Sequence, residues 1–593
     1  MSIIQTSCNM KKLIIIIALL LGATCAWAGI RLPSQIGDYM VLQQQTQARL
    51  WGWADPGATL KVVTSWDDRT YSVKADGKGA WTVNVATPAG SYDEHTVTLT
   101  CGKEKVELRH VLIGEVWLGS GQSNMEMPLK GFDNCPVEGA MQEIAESGRY
   151  RGRIRFSTVP KVGAFSPKDI VDAPWLESCP DNAPGFGAAA WFFAKNLTEV
   201  LDVPVGIINN AWGGSRVEGW LPREIVAGYP GVASDSLAVS RVFEMHRPTF
   251  MYYGQWTPVR NYTFKGVIWY QGETNAGMDP LEYADRMETL IALWRRETGN
   301  PDLPVYQVEI APYADNGDPD GYSYPILREQ QQKSARETEN CWIVSTADLA
   351  YPFEPNQIHP SNKRGVGQRL SYLALNHTYG RTVFPGIAPE YDSMDVDGEE
   401  VTVTFKNVRE SGGFNLFDSI EGLEVCGPDL VFHPAEGRVV QMRNTLVVSS
   451  PEVKQPVAVR YAFRNFRPGN LTGASGLAVP PFRSDRILEG EVPVNPADQP
   501  DGDFEGHWVG KAQRGMGGQE MAFDLTFKKL PDGSWQCEMP GQEPQTARVR
   551  GNRATVNFPF GNGMRMPLEV KFHNDGTLWA EMMGNPFAKL ERK

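Results

Sequence analysis

Cysteine is scarce in this chain, basic charge is in deficit, and membrane-length apolar runs are missing. Eight cysteines stand among 593 residues, none in a C-x-x-C spacing, so neither a zinc site nor a disulfide framework follows. Lys and Arg number 57 against 70 Asp and Glu, a formal net charge of −13. Phosphate backbones are held by basic faces, which argues against nucleic acid as a partner. The long apolar run at 13–23 is eleven residues, too short for a bilayer core of about 30 Å. No internal repeat is visible.

That short run has a different use. It follows Lys11-Lys12 and precedes Ala26-Trp27-Ala28, the charged start, apolar centre and small-residue cleavage site of a secretory signal peptide. Thr24 ahead of Cys25 speaks against a lipoprotein. The expectation is a leader over 1–28, export to the periplasm or beyond, and no membrane span in the mature chain. Of the cysteines that remain, Cys135 and Cys179 lie in proline-flanked stretches and could pair in an oxidising compartment; the sequence does not fix a connectivity.

What is present is core material. Hydrophobic types make up 41% of the chain, with 17 Trp, 19 Tyr and 25 Phe, enough for several separate cores at a prior of roughly 150 residues per domain. Residues 29–110 alternate apolar and polar in short runs, such as Trp81-Thr82-Val83-Asn84-Val85, broken by turns at Asp55-Pro56-Gly57 and Asp76-Gly77. This predicts a small all-β domain. Over 111–385 the texture changes to apolar runs at 115–118, 205–208, 266–270, 305–310 and 342–345. They read as buried parallel strands, alternating with helices at 281–297 and from Ser361, taken as an N-cap, to about 376. The fold class that follows is α/β, a doubly wound parallel sheet, flanked by all-β domains. Alternation returns over 386–488, a β-sandwich-like domain; three prolines mark a linker at 489–500, and 501–593 form a separate all-β module with frequent turns. Trp508, Trp535 and Trp579 in that module are available either for sugar stacking or for a core.

The strongest chemical signal is Gly119-Ser120-Gly121-Gln122-Ser123-Asn124-Met125-Glu126, directly after a buried strand. Active sites of open α/β sheets lie outside the carboxyl ends of strands, and a serine on a tight turn there can expose its hydroxyl. Taken singly, a serine in such company is more often a helix cap. His359, in Gln357-Ile358-His359-Pro360-Ser361-Asn362-Lys363, is the histidine placed to act as its base, although alone it reads as a solvated loop residue. Trp212-Gly213-Gly214-Ser215 and Gln271-Gly272-Glu273-Thr274-Asn275 follow two further strands. They put backbone and side-chain amides at the same sheet edge, as an oxyanion hole requires.

Together these motifs, from 114–126, 209–220, 265–276 and 358–363, resemble the sialate O-acetylesterase family of SGNH hydrolases, bacterial carbohydrate acetylesterases included. The resemblance covers about 29–488. It implies an SGNH-type hydrolase domain over 111–385 that removes O-acetyl groups from an acetylated carbohydrate, without metal or organic cofactor. By motif, Ser123 corresponds to the nucleophile, His359 to the general base, Gly213 or Gly214 to the oxyanion glycine, and Gln271, with Asn275 in reserve, to the side-chain amide. One position departs from the pattern. The Asp that usually precedes the His by two or three residues is replaced by Gln357 and Asn356, so the orienting acid is Glu354 or Asp348, or else a backbone carbonyl serves. A glycosidase using Glu273 and Asp348 would leave the serine motif and His359 without roles. A non-catalytic glycan-binding protein on the same scaffold is the more serious rival. The acidic loop at 315–320 lacks an EF-hand register and reads as a solvated turn. Neither the particular sugar nor the oligomeric state follows from the sequence.

Overall fold

The computed structural model describes residues 29–233, 242–315, 321–440, 444–493, 502–512, 521–559, 565–572, 577–582 and 585–593. The expected leader at 1–28, most of the linker and most of the acidic loop lie outside the described residues. The chain divides into two compact units, Met1–Thr274 with Ala284–Tyr306 and Thr338–Cys341, and Asn275–Tyr283 with Gln307–Glu337 and Trp342–Lys593.

In the first unit the alternating N-terminal segment forms strands β1 (Val41–Gln43), β2 (Gln47–Trp53), β3 (Thr59–Thr64), β4 (Thr70–Lys74), β5 (Ala80–Ala86) and β6 (Ser91–Cys101). The next strand, β7 (Glu104–Gly121), runs straight through the expected boundary at 110–111. Its first half pairs antiparallel with β6. Its second half becomes the central parallel strand, flanked by β10 (Val205–Ala211) and β11 (Gly266–Tyr270). Before β10 come β8 (Ile154–Thr158) and β9 (Trp175–Glu177); after β11 come β12 (Val305–Val308) and β13 (Cys341–Val344). The order is β13-β12-β11-β7-β10-β8-β9. From β7 the chain forms β8 and β9 on one side, returns to place β10 beside β7, and then crosses to build β11, β12 and β13 outward on the other, so the strand order reverses at β7. Open α/β sheets bind their ligands outside the carboxyl ends of the strands at such a reversal.

The short apolar runs are strands because both faces are covered. Every residue of β10 and β11 and of 111–121 is buried, the pattern of a parallel sheet between helix layers. Among the helices are α1 (Ser123–Glu126), α2 (Ala188–Leu201), α3 (Glu273–Ala276), α4 (Tyr283–Thr298), α5 (Ser323–Glu337) and α6 (Lys363–His377). In α4 the stripe Ala284, Met287, Leu290, Ile291 and Trp294 is buried as its period demands. Leu281 is a correction: it lies in a short turn ahead of the helix and is 64% exposed. Ser361 is another. The side chain of Asn362 caps α6 by accepting from Gly365 N, because the helix begins one residue later than the hydroxyl of Ser361 would need.

In the second unit two four-stranded antiparallel sheets share a core of Val401, Val403, Phe405, Leu446 and Val448 with Val425, Val459 and Tyr461. The C-terminal module is a closed barrel of eight antiparallel strands, from Gly506–Ala512 to Asn585–Arg592. Its interior is filled by Phe504, Trp508, Phe523, Phe527, Trp535 and their neighbours. Trp508 and Trp535 are therefore core residues, 0% and 6% exposed, not sugar platforms; burying each large ring contributes more to stability than an exposed stacking face would. Trp579 is half-buried. Among the described residues no disulfide joins Cys135 to Cys179. No described helix is long and apolar enough to cross a membrane, and no described cluster of three or more His, Cys, Asp or Glu is grouped to hold a metal ion.

Candidate active site

The turn that carries Ser123 is built from the end of β7. Gly121 has a φ of +137°, and a Cβ there would sit 2.1 Å from the carbonyl oxygen of Tyr270, so only glycine lets β7 close this tightly on β11. The next amide, Gln122 N, donates to that same Tyr270 carbonyl at 2.9 Å. Ser120 is buried and donates its hydroxyl to Asn210 O at 2.7 Å, a structural serine. Ser123 opens α1 and is half-buried, while Gln122, Asn124 and Met125 around it are buried. Of the serines in the motif, it is the one after the turn whose side chain keeps access to solvent.

Its neighbours are tied down by a polar lattice. Gln122 Oε1 accepts from Gln271 Nε2 at 3.1 Å, Gly272 N at 3.2 Å and Thr274 N at 3.4 Å. Asn124 Nδ2 donates to Glu273 Oε1 at 2.5 Å. The loop after β10 is fastened to the same turn through Trp212 N on Gly121 O at 3.1 Å. Within that loop Gly213 lies against the nucleophile candidate: a Cβ added to it would fall 3.2 Å from Ser123 Cβ and 3.1 Å from Glu126 Oε2. Gly213 N donates to Glu126 Oε2 at 2.6 Å, and Glu126 Oε1 pairs with Lys161 at 2.6 Å. A negatively charged oxygen thus sits on the Gly213 amide directly beside Ser123. Gly214, with φ +77°, makes the bend that exposes this amide.

Gln271 has a different position from the one its motif suggests. It is fully buried, and its two N–H groups go to Gln122 Oε1 and, at 3.0 Å, to Ser215 O. It braces the nucleophile turn against the glycine loop, which takes up the donors an oxyanion would need. Asn275, also buried, belongs to α3.

His359 lies on the loop before α6. Burial, and after it the charge of Lys363, holds its pKa down at about 4. Lys363 is itself buried and donates to Pro360 O at 2.7 Å. The two acid candidates have other partners. Asp348 receives Arg369 through both guanidinium nitrogens, at 2.7 and 2.6 Å, a bidentate fork that satisfies both oxygens. Glu354 accepts from Ser361 Oγ at 2.6 Å, Ser361 N at 3.4 Å and Tyr351 N at 3.2 Å. Neither set includes the imidazole.

The first unit therefore brings together Ser123, Gly213, Gly214 and Gln271, and the second holds Asn275, Asp348, Glu354 and His359. Sequence reasoning missed the parts played by Glu126, Lys161 and Lys363. Glu126 stood inside the quoted motif, but its partner is 87 residues away, a distance no local spacing reports.

Comparison with known proteins places the chain in a family. Residues 113–376 match the family of carbohydrate esterases described as sialic acid-specific acetylesterases. Sialate O-acetylesterase of Mus musculus is 28% identical over 426 residues, covering 62% of this chain and 77% of that protein. The Homo sapiens protein of the same description is 29% identical over 398 residues, covering 62% and 74%. A solved structure of a carbohydrate acetylesterase from Xanthomonas citri superposes with a TM-score of 0.68 at 31% identity, over 77% of this chain and 100% of that one. The chain belongs to the sialic acid-specific acetylesterase family of SGNH-like carbohydrate esterases, and is a carboxylic ester hydrolase.

Proposed function

We propose that the protein removes O-acetyl groups from an acetylated sugar, a sialic acid or a polysaccharide unit, through an acetyl-enzyme on Ser123. The observation that carries this reading is the Gly213 amide set against Ser123 and already occupied by a carboxylate oxygen. An N–H that donates to an anionic oxygen there suits the oxyanion of a tetrahedral intermediate, once that oxyanion displaces Glu126 Oε2. The neutral His359 takes the Ser123 proton as the hydroxyl attacks the acetyl carbonyl. Collapse of the intermediate breaks the ester bond, and His359 returns the proton to the sugar oxygen. Water, deprotonated by the same ring, then releases acetate and restores Ser123. The backbone N–H of Ser123, the Gly213–Gly214 backbone and the Asn275 amide serve as oxyanion donors in this scheme; Gln271 holds them in place. The chemistry uses only these side chains. Cleavage of a leader near Ala28 and export would place the enzyme where acetylated glycans are met.

Acetate release from an acetylated glycan panel, alongside a small aryl acetate, tests the reading. Ser123→Ala abolishes release from both. If Ser123→Ala retains glycan binding and the parent enzyme releases no acetate from either, the chain is a glycan-binding protein on an esterase scaffold.

A further inference from the structure

Ser361 raises a question that the helix does not answer. It directly precedes the capping residue, yet Asn362 supplies the cap. Its hydroxyl instead donates to Glu354 Oε1 at 2.6 Å, and its amide to the same oxygen at 3.4 Å. The other oxygen of Glu354 accepts from Tyr351 N at 3.2 Å. Glu354 N bonds Tyr351 O at 2.9 Å, and Gln357 N bonds Glu354 O at 3.0 Å. A single half-buried carboxylate therefore ties the start of the 351–361 loop to its end, with His359 held between. Charge-assisted bonds of this length are about twice as strong as neutral ones. On the far side Lys363 fixes Pro360 through its carbonyl.

We propose that Glu354 and Ser361 are a clasp that positions His359: the carboxylate acts on the base through the Ser361 hydroxyl and the loop backbone, not by direct contact with the imidazole. This rests on the reading of His359 as general base. A ring carried on a loop needs its backbone fixed, because a displacement of about 1 Å in a catalytic group costs on the order of 10²-fold in rate.

The test is steady-state kinetics on a small aryl acetate with Ser361→Ala, Ser361→Thr, Glu354→Ala, the Glu354→Ala/Ser361→Ala double variant and His359→Ala, each checked for cooperative thermal unfolding. Ser361→Ala and Glu354→Ala each lower kcat by about 10 to 10²-fold with KM held. Ser361→Thr, which keeps a hydroxyl, restores most of it. The double variant is no worse than the worse single one, and the acid limb of kcat/KM does not move in any of them. Three results overturn the proposal. One is a wild-type kcat in Ser361→Ala while His359→Ala is inactive, which leaves the base assignment standing and removes the clasp. Another is a loss near 10⁴-fold in Glu354→Ala, with a shifted acid limb and full activity in Ser361→Ala, the signature of a direct acid. The last is full activity in His359→Ala, which removes the base assignment and any positioning role with it.

Discussion

As the general base proposed above, His359 would set the pH range of the enzyme, and its depressed pKa gives the size of the effect. Its pKa is about 4 against about 6.5 for a free histidine, a difference worth about 3 kcal/mol against protonation. Burial is the larger cause and the Lys363 ammonium the second. A general base must be neutral in the free enzyme, so kcat/KM rises with pH through the folded pKa and is flat above it. At pH 5 a base with this pKa is about 90% neutral, whereas one at the ordinary value is about 3% neutral. The assay is the initial rate of acetate release between about pH 3.5 and 8, fitted for the acid limb of kcat/KM. Lys363→Met removes one of the two causes, so its acid limb moves up toward the ordinary histidine value without reaching it. Stability follows the same linkage. The unfolded chain takes up a proton near pH 6.5 that the folded ring refuses until about 4, so stability falls as pH drops through that window and levels off below it. An acid limb near 6.5 in the parent enzyme, or no upward movement in Lys363→Met, would refute this electrostatic account.

Other expectations follow from single contacts. Gly121→Ala places a Cβ 2.1 Å from Tyr270 O at a φ of +137°; the turn carrying Ser123 is displaced, and aryl acetate hydrolysis falls by about 10²-fold or more while far-UV circular dichroism still reports the fold. Asp348→Asn leaves Arg369, 8% exposed, without its anion. It destabilises the protein by about 2–4 kcal/mol in urea titrations and leaves kcat near the parent value, since that carboxylate is committed to Arg369; a collapse of kcat at full stability would reinstate it as the acid. A chain ending at Pro493 keeps its activity on a small aryl acetate, because the barrel has its own closed hydrogen-bonding and its own core. Loss of that activity in a soluble truncation would contradict the separation.

The parts of this molecule visible in its sequence are those governed by short-range patterns. The runs at 205–208 and 266–270 become β10 and β11 because continuous burial on both faces leaves a simple apolar signature. The tight turn before Ser123 is legible because Gly121, at the end of a buried strand, takes a backbone path other residues cannot. What the sequence did not reveal depends on partners far along the chain. Strand β7 crosses an apparent domain boundary because its two halves pair with different neighbours, each strand-like on its own terms. Gln271 looked like an oxyanion donor by motif, yet Gln122 and Ser215 claim both its N–H groups. The tryptophans of the C-terminal module looked usable for stacking, but only barrel closure decides that Trp508 points inward. Ser361 had the right type and nearly the right place for a cap; one residue of register gave that task to Asn362 and released the hydroxyl for Glu354.

The central claim is a covalent one, that the acetyl group passes through Ser123. Rapid quenching of the enzyme in acid during turnover of an aryl acetate, followed by digestion and peptide mass spectrometry, tests it directly. The prediction is an acetyl group on the peptide that carries Ser123, formed within one turnover and absent from Ser123→Ala, which also releases no acetate. Acetate release by Ser123→Ala at the parent rate, or an acetyl group trapped on another residue, would contradict the account.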